Sequence, residues 1–368
     1  MSAVLRASHP NRPGLAAERC RTAARMPLTL TVLMITGSDP NRLLPAVANR
    51  CAPATRRAPC CGTGGIGPSV GAMGLLGSPR VRCAHSPAPW ARAPIHRGAG
   101  EPIVLLHPFL MSQMVWETVA EQLADTGRYE VFAPTMAGHH GGPPSGTRFL
   151  SPAVLADHVE RQLDELGWNT AHFVGNSLGG WVAFELESRG RARTVTAIAP
   201  AGGWTRWSLT KFEVIGKFAG GLPVWVLARW LGPRILVLPA SRRIGTLPIS
   251  GSPHGVSERE LSAVLDDLVR CPAYFQLLAK SLLLPGLVDL GRTATPTHLV
   301  WCEKDRVLPP RRFSGHFTRH LPEGTTVTVL DGAGHIPMFE APGRVAALIA
   351  DFVDRHTQPS RAVGAQVS

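Results

Sequence analysis

Residues 101–357 predict an α/β fold: a mostly parallel central sheet with helices on both faces and an inserted helical cap. Three observations carry this prediction. Short apolar runs alternate with longer helical stretches along most of the body, the pattern of a parallel sheet covered on both faces. One apolar run leads through Gly175-Asn176-Ser177-Leu178-Gly179 directly into a helical stretch, so a serine stands at a tight strand-to-helix corner. Residues 203–295 then interrupt the alternation, which resumes afterwards.

In chain order, residues 102–106 form a short apolar run and predict a buried strand, 116–125 a helix, 129–133 a strand and 152–166 a helix. Residues 171–174 predict the strand that feeds the corner, and a helix starts at Leu178. A strand at 194–198 precedes the insert. Beyond it come a strand at 297–301, a helix at 311–320, a strand at 326–330 and a last helix at 343–354. No internal repeat is present. Glycine at 175 and 179 has a mechanical reason: a strained corner needs neighbours without a Cβ so that strand and helix can pass closely.

The insert carries Trp204, Trp207, Phe212, Phe218, Trp225 and Trp230, together with an apolar run over 222–238. That run is broken by Pro223, Arg229, Gly232, Pro233 and Arg234, which argues against a helix spanning a membrane, since spanning takes about 20 mainly apolar residues. A cap of short helices is expected, its aromatics packing inward or roofing an apolar acyl pocket. Ser257 and Glu260 have the spacing of a capping box at the start of one such helix. Membrane association through the cap's apolar surface is the weaker alternative.

Charge separates the body from what precedes it. The whole chain of 368 residues carries a formal charge of +12, but residues 1–100 hold 13 Arg, no Lys and only Glu18 and Asp39 as acids, a net +11. Residues 101–368 are left with +1, which does not support nucleic-acid binding by the body. Residues 1–93 show Pro, Gly, Ala and Arg without periodicity and are expected to be a disordered extension, or one that does not belong to the working protein. The apolar stretch at 28–35 lies too far from Met1 for an ordinary signal peptide, while the Arg-rich, acid-poor composition also fits a transit peptide. The domain is expected at 94–357, followed by a disordered tail at 358–368. Five of the seven cysteines lie in the leading segment; Cys271 and Cys302 fit neither a zinc pattern nor a disulfide framework, so a reducing cytoplasm and no metal are expected.

A serine hydroxyl is a weak nucleophile without a base, and imidazole suits that task near neutral pH. His335 follows the last predicted strand within Asp331-Gly332-Ala333-Gly334-His335, at the carboxyl edge where active groups of such sheets gather. His107, His139 and His140 also sit in loops at that edge. The imidazole needs a carboxylate on its other nitrogen, for which Asp305 is the candidate and Glu303 and Asp331 the alternatives. An oxyanion hole needs two backbone N–H groups: Leu178, directly after the serine, supplies one, and Phe109 the other, because Pro108 has no N–H.

Taken together, the elbow 175–180, the His107 loop followed by Trp116, the loop Ala137-Gly138-His139, Asp305 before Val307, and Gly334-His335 before Pro337 and Glu340 resemble the α/β-hydrolase fold family in its capped form, over residues 101–357. Two departures stand out. Pro108 occupies the place where the family usually has glycine, and residues 80–100 match poorly the β-hairpin that usually opens the sheet. The resemblance implies a serine hydrolase acting on a carboxylic ester or similar acyl substrate, small and hydrophobic, through Ser177, His335 and Asp305, with no cofactor. A serine at the elbow argues against the haloalkane dehalogenases and epoxide hydrolases of this fold, which use an aspartate nucleophile. Asn176 is similar to carbon–carbon bond hydrolases. Haloperoxidase-like and acyltransferase members, or a non-catalytic ligand receptor, are the other readings. No nucleic-acid partner is expected, and membrane association is not favoured.

Overall fold

The computed structural model describes residues 92–357, apart from Arg148, Leu238, Leu284 and Val288. The expectations for the extension up to residue 91 and for the tail at 358–368 lie outside the described residues. In chain order the elements are β1 (Ile95–Gly98), β2 (Glu101–Leu106), α1 (Glu117–Ala124), β3 (Tyr129–Ala133), α2 (Pro152–Leu166), β4 (Ala171–Asn176), α3 (Leu178–Ser188) and β5 (Ala192–Ile198). The insert follows as α4 (Leu209–Gly220), α5 (Leu222–Leu231), α6 (Pro239–Thr246), α7 (Glu258–Arg270) and α8 (Tyr274–Leu283). The body resumes with β6 (Thr297–Cys302), α9 (Pro310–His320), β7 (Thr326–Leu330), α10 (Pro337–Glu340) and α11 (Pro342–His356).

The strands form one seven-stranded sheet in the order β1-β3-β2-β4-β5-β6-β7. All neighbours are parallel except β1, which pairs antiparallel with β3, Ile95 opposite Ala133. The sheet therefore opens on a four-residue edge strand, Ile-His-Arg-Gly, mostly exposed and without an apolar run to announce it. The central strands are buried on both faces. On β2, Val104 and Leu106 enter one apolar layer while Ile103 and Leu105 enter the other, the two-residue alternation of a pleated strand. All six residues of β4 are buried. With both faces covered, such strands are mostly apolar, and a buried polar residue such as His172 on β4 is held by Thr194 Oγ1 and Glu101.

The helices start and stop where their local chemistry requires. Ser151 Oγ accepts from the Val154 N–H at the start of α2, Pro152 sits in its first turn, and Gly167 ends it at φ +75°. The capping box at Ser257 and Glu260 forms as the spacing predicts. The insert is tied to the body by polar contacts. Asp267, buried on α7, accepts from Arg92 Nη1 at 2.9 Å and Ser112 Oγ at 2.5 Å, and it meets His140 Nδ1 at 3.0 Å. The Ala273 N–H donates to the Gly138 carbonyl at 2.8 Å. Cys271 and Cys302 are buried free thiols, and burial pushes Cys271 up to about 12.

Burial also fixes the charge of two rings. His298 on β6 lies 2.9 Å from Thr328 Oγ1, and His139 occupies the loop after β3; loss of water pushes each down to about 4, with Arg355 repelling charge at His298 as well. Both rings bind a proton less readily in the folded protein than in the unfolded chain. Stability is then full above the ordinary histidine value and falls as the pH drops from about 6.5 towards 4, because the unfolded chain takes up more protons there. Urea unfolding at a series of pH values is expected to show a loss of about 2–3 kcal/mol per ring across that window, and a flat profile would contradict the buried neutral rings.

Candidate active site

The serine corner is built by backbone crowding. Ser177 has φ +54° and ψ −113°, outside the regions an L-residue normally occupies, between the end of β4 and the first turn of α3. Such a conformation costs about 1–3 kcal/mol and persists only where the surroundings impose it. Here they do. A Cβ on Gly175 would stand 2.2 Å from the Gly179 carbonyl oxygen, and one on Gly179 would stand 2.1 Å from that of Leu106. The Ser177 N–H donates to the Ile198 carbonyl at 3.0 Å, and the Ser177 carbonyl accepts from Ala201 at 2.9 Å, so the corner is held against the end of β5.

The carboxyl ends of β6 and β7 supply a buried pair. The Nδ1–H of His335 donates to Asp305 Oδ2 at 2.7 Å. The other carboxylate oxygen accepts from the N–H groups of Val307 and Leu308, each at 2.8 Å, which fixes the carboxylate plane. The two alternatives are used elsewhere: Glu303 accepts from the Gly332 N–H, and Asp331 is exposed. The pair is brought to the serine corner by Asn176. Its Nδ2 donates to the Ile198 carbonyl at 3.0 Å and to the His335 carbonyl at 3.1 Å, tying the residue before Ser177 to the histidine itself. Among the described residues the Ser177 hydroxyl has no hydrogen-bond partner; the residue lines a cavity.

A second clamp holds the histidine loop. Glu340 Oε2 accepts from the Gly334 N–H at 2.7 Å, while Oε1 accepts from Gly251 N–H at 2.9 Å and Ser250 Oγ at 2.7 Å. One carboxylate thus joins the loop before His335 to the α6–α7 connection. Asn176 and Glu340 both stand in the motifs read from the sequence, but their clamping roles depend on partners that no spacing rule displays.

The loop after β2 is organised by His107. Its Nε2 accepts from the Met136 N–H at 2.9 Å and its Nδ1–H donates to the Pro108 carbonyl at 2.8 Å, so both nitrogens of a neutral ring are engaged. Burial, with repulsion from His139, holds its pKa well below the usual value. His107 therefore braces the loop. His139 Nδ1 faces the Ala137 carbonyl, and His140 meets the buried Asp267, a carboxylate that Arg92 and Ser112 also hold; His335 is the carboxylate-paired edge histidine that Asn176 ties to the serine corner. Pro108 does not disrupt the turn: its carbonyl also accepts from Met111, and Leu110 takes φ +67°. Among the described residues no protein acceptor takes the N–H of Phe109 or of Leu178, and both residues line the cavity with Ser177.

The rest of that cavity is mostly apolar. Trp181, Trp204 and Phe218 form part of its wall, and α4 contributes Val214 and Ile215. Lys211, buried on the same helix, also lines it; its Nζ donates to the Arg206 carbonyl at 3.2 Å, and burial, reinforced by the Arg206 charge, lowers its pKa.

The sequence profile of the alpha/beta hydrolase family matches residues 103–348. The chain is 68% identical over 205 residues to a protein of Mycobacterium tuberculosis named epoxide hydrolase EphH, covering 56% of this chain and 96% of that protein. Among solved structures, a thermophilic esterase from Thermogutta terrifontis superposes with a TM-score of 0.56 at 20% identity, over 72% of this chain and 93% of that one. The epoxide hydrolase CorEH superposes with a TM-score of 0.56 at 20% identity, over 71% and 94%. At such identities the likeness of the solved structures shows the fold. The chain belongs to the alpha/beta hydrolase family, and it is a hydrolase.

Proposed function

We propose that the protein is a serine hydrolase of carboxylic esters or similar acyl compounds with an apolar acyl group. The observation that supports this most is the strained Ser177 at the wall of an apolar cavity, one residue from the amide that holds His335, whose Nδ1–H is fixed by Asp305. In this reading Ser177 Oγ attacks the carbonyl carbon as Nε2 of His335 takes its proton. The N–H groups of Phe109 and Leu178 stabilise the tetrahedral oxyanion. Collapse breaks the bond to the leaving oxygen, which receives the proton from His335 and departs as the alcohol. Water then gives a proton to His335 and attacks the acyl-serine; the carboxylic acid leaves and Ser177 regains its proton. Asp305 stabilises the imidazolium formed in each half-reaction.

Epoxide hydration is the second reading, favoured by the name of the 68% identical relative. The chemistry at the elbow separates the two. A carboxylate that opens an epoxide forms an ester, which water can cleave. Serine would form an alkyl ether, which water at neutral pH does not cleave, so hydration here would have to run through a water activated by His335 with Ser177 outside the covalent path.

Two substitutions test these readings. Ser177→Ala is expected to lower turnover of p-nitrophenyl esters roughly 10⁴-fold or more with an unchanged melting temperature. Retention of ester turnover contradicts the nucleophilic role, and epoxide hydration that survives Ser177→Ala supports the second reading. Asp305→Asn is expected to lower kcat by roughly 10³–10⁴ with little change in KM, since it disturbs the imidazole and not the cavity wall; a KM effect alone would assign Asp305 to substrate binding.

A further inference from the structure

Helix α4 lines the cavity, and beside it α5 presents to solvent a side with the composition of a membrane-contacting surface. On α5, Pro223, Val224, Val226, Leu227, Trp230 and Leu231 are exposed, while Ala228 is buried and Trp225 Nε1 donates inward to the Leu268 carbonyl at 3.1 Å. At about 100° per residue the six exposed positions cover a continuous arc of about 160°. A helix on the outside of a soluble domain normally turns its apolar arc to the core and its polar arc to water. Helix α5 is apolar on both sides: Leu222, Trp225 and Ala228 face the protein while the outer apolar arc meets water. The apolar exposure continues on both sides of it: Trp207 and Leu209 before α4 and at its start are 77% and 82% exposed, Trp230 is 85% exposed and Val237 is 78% exposed.

The charges of the same stretch select the occupant. Residues 206–247 carry a net +6: Lys211 is buried at the cavity, Lys217 and Arg229 are exposed but donate to the Val307 and Val269 carbonyls, and Arg206, Arg234, Arg242 and Arg243 are exposed. The single acid, Glu213, is already engaged by Lys217 at 2.8 Å and Arg312 at 2.9 Å. A second copy of the chain in a two-fold pair would bring the same basic face against itself, and like charges facing each other across an interface oppose association. An anionic bilayer accepts all three features: basic side chains at the headgroups, tryptophans at the boundary and aliphatic side chains just below it.

We propose that the outer face of α4, α5 and the following residues to Leu247 docks on an anionic lipid bilayer, lying in the plane of its surface. The stretch Leu209–Leu231 has the length and composition to cross a membrane, but Gly220 and Gly221 divide it. The inner residues Val214, Ile215 and Phe218 of α4 line the cavity beside Ser177, so a spanning arrangement would strip that wall from the body. The breaks that oppose a spanning helix leave a surface-lying pair unhindered. Because α4 turns one face to the cavity and Leu209 and Phe212 outward, lipid contact and substrate contact would share one helix. The inference does not depend on which bond the enzyme cleaves.

Co-sedimentation of the full chain with phosphatidylcholine vesicles, with and without phosphatidylglycerol, at low and high salt, tests the docking face. The chain is expected to sediment with the anionic vesicles and to lose roughly tenfold in partition at high salt. The charge-neutral double substitution Leu227→Ser/Trp230→Ser, on exposed positions outside the cavity wall, is expected to reduce partition roughly tenfold or more with unchanged melting behaviour. Absence of vesicle binding overturns the proposal, as does equal binding of both proteins, which would trace the attraction to the Arg-rich residues 1–100. A concentration-dependent dimer that the double substitution dissolves would also overturn it and assign the face to a second copy.

Discussion

The structure around the site depends on one constraint: the carboxyl end of β4, the end of β2 and the first turn of α3 meet backbone to backbone. Any Cβ at 175 or 179 would stand within 2.2 Å of a carbonyl oxygen, so glycine is required on both sides of the corner. With the chain so confined, Ser177 has no relaxed conformation to adopt, and it takes φ +54° at the wall of the cavity. The strain is held by the surrounding strands, which are buried on both faces and paired in parallel register through β2, β4, β5 and β6. Loops leaving the same edge bring Asp305 and His335 into contact, and Asn176 fastens them to the corner.

Much of this was legible in the sequence, for identifiable reasons. A strand covered on both faces leaves a run such as Ile103-Val104-Leu105-Leu106, and such runs, with few polar residues, located β2, β3, β4 and the later strands to within a residue or two. The elbow glycines have a steric reason that acts locally. Asp305, Glu303 and Asp331 could be ranked because distance from a strand end decides which way a side chain leaves the sheet, and the structure pairs Asp305 with His335. What escaped were features carried by long-range polar partners. The clamps made by Asn176 and Glu340, and the buried Asp267 that joins α7 to Arg92, Ser112 and His140, leave no periodic trace in the chain. Strand β1 escaped because Ile-His-Arg-Gly at an exposed edge has no apolar run.

The cap shows a further limit. Its helices could be anticipated from interrupted apolar runs, and the capping box at Ser257 from spacing alone. The direction in which α5 turns its apolar arc could not, since hydrophobic periodicity gives the width of a face and not what it meets. In the folded protein α4 lines the cavity while α5 exposes its aliphatic residues and Trp230. The two outer helices of one cap thereby serve different surroundings, one against the cavity and the other against solvent.

In the proposed mechanism Ser177 is made nucleophilic by an imidazole held in place from the neighbouring loops. The most direct measurement is the rate at which a fluorophosphonate labels the protein, with the adduct located by peptide mass mapping. A single adduct on Ser177 is expected, formed roughly a thousandfold faster than in a His335→Gln variant of equal stability. Absence of the adduct on Ser177 in the folded protein, or labelling at the same rate without the imidazole, would contradict it.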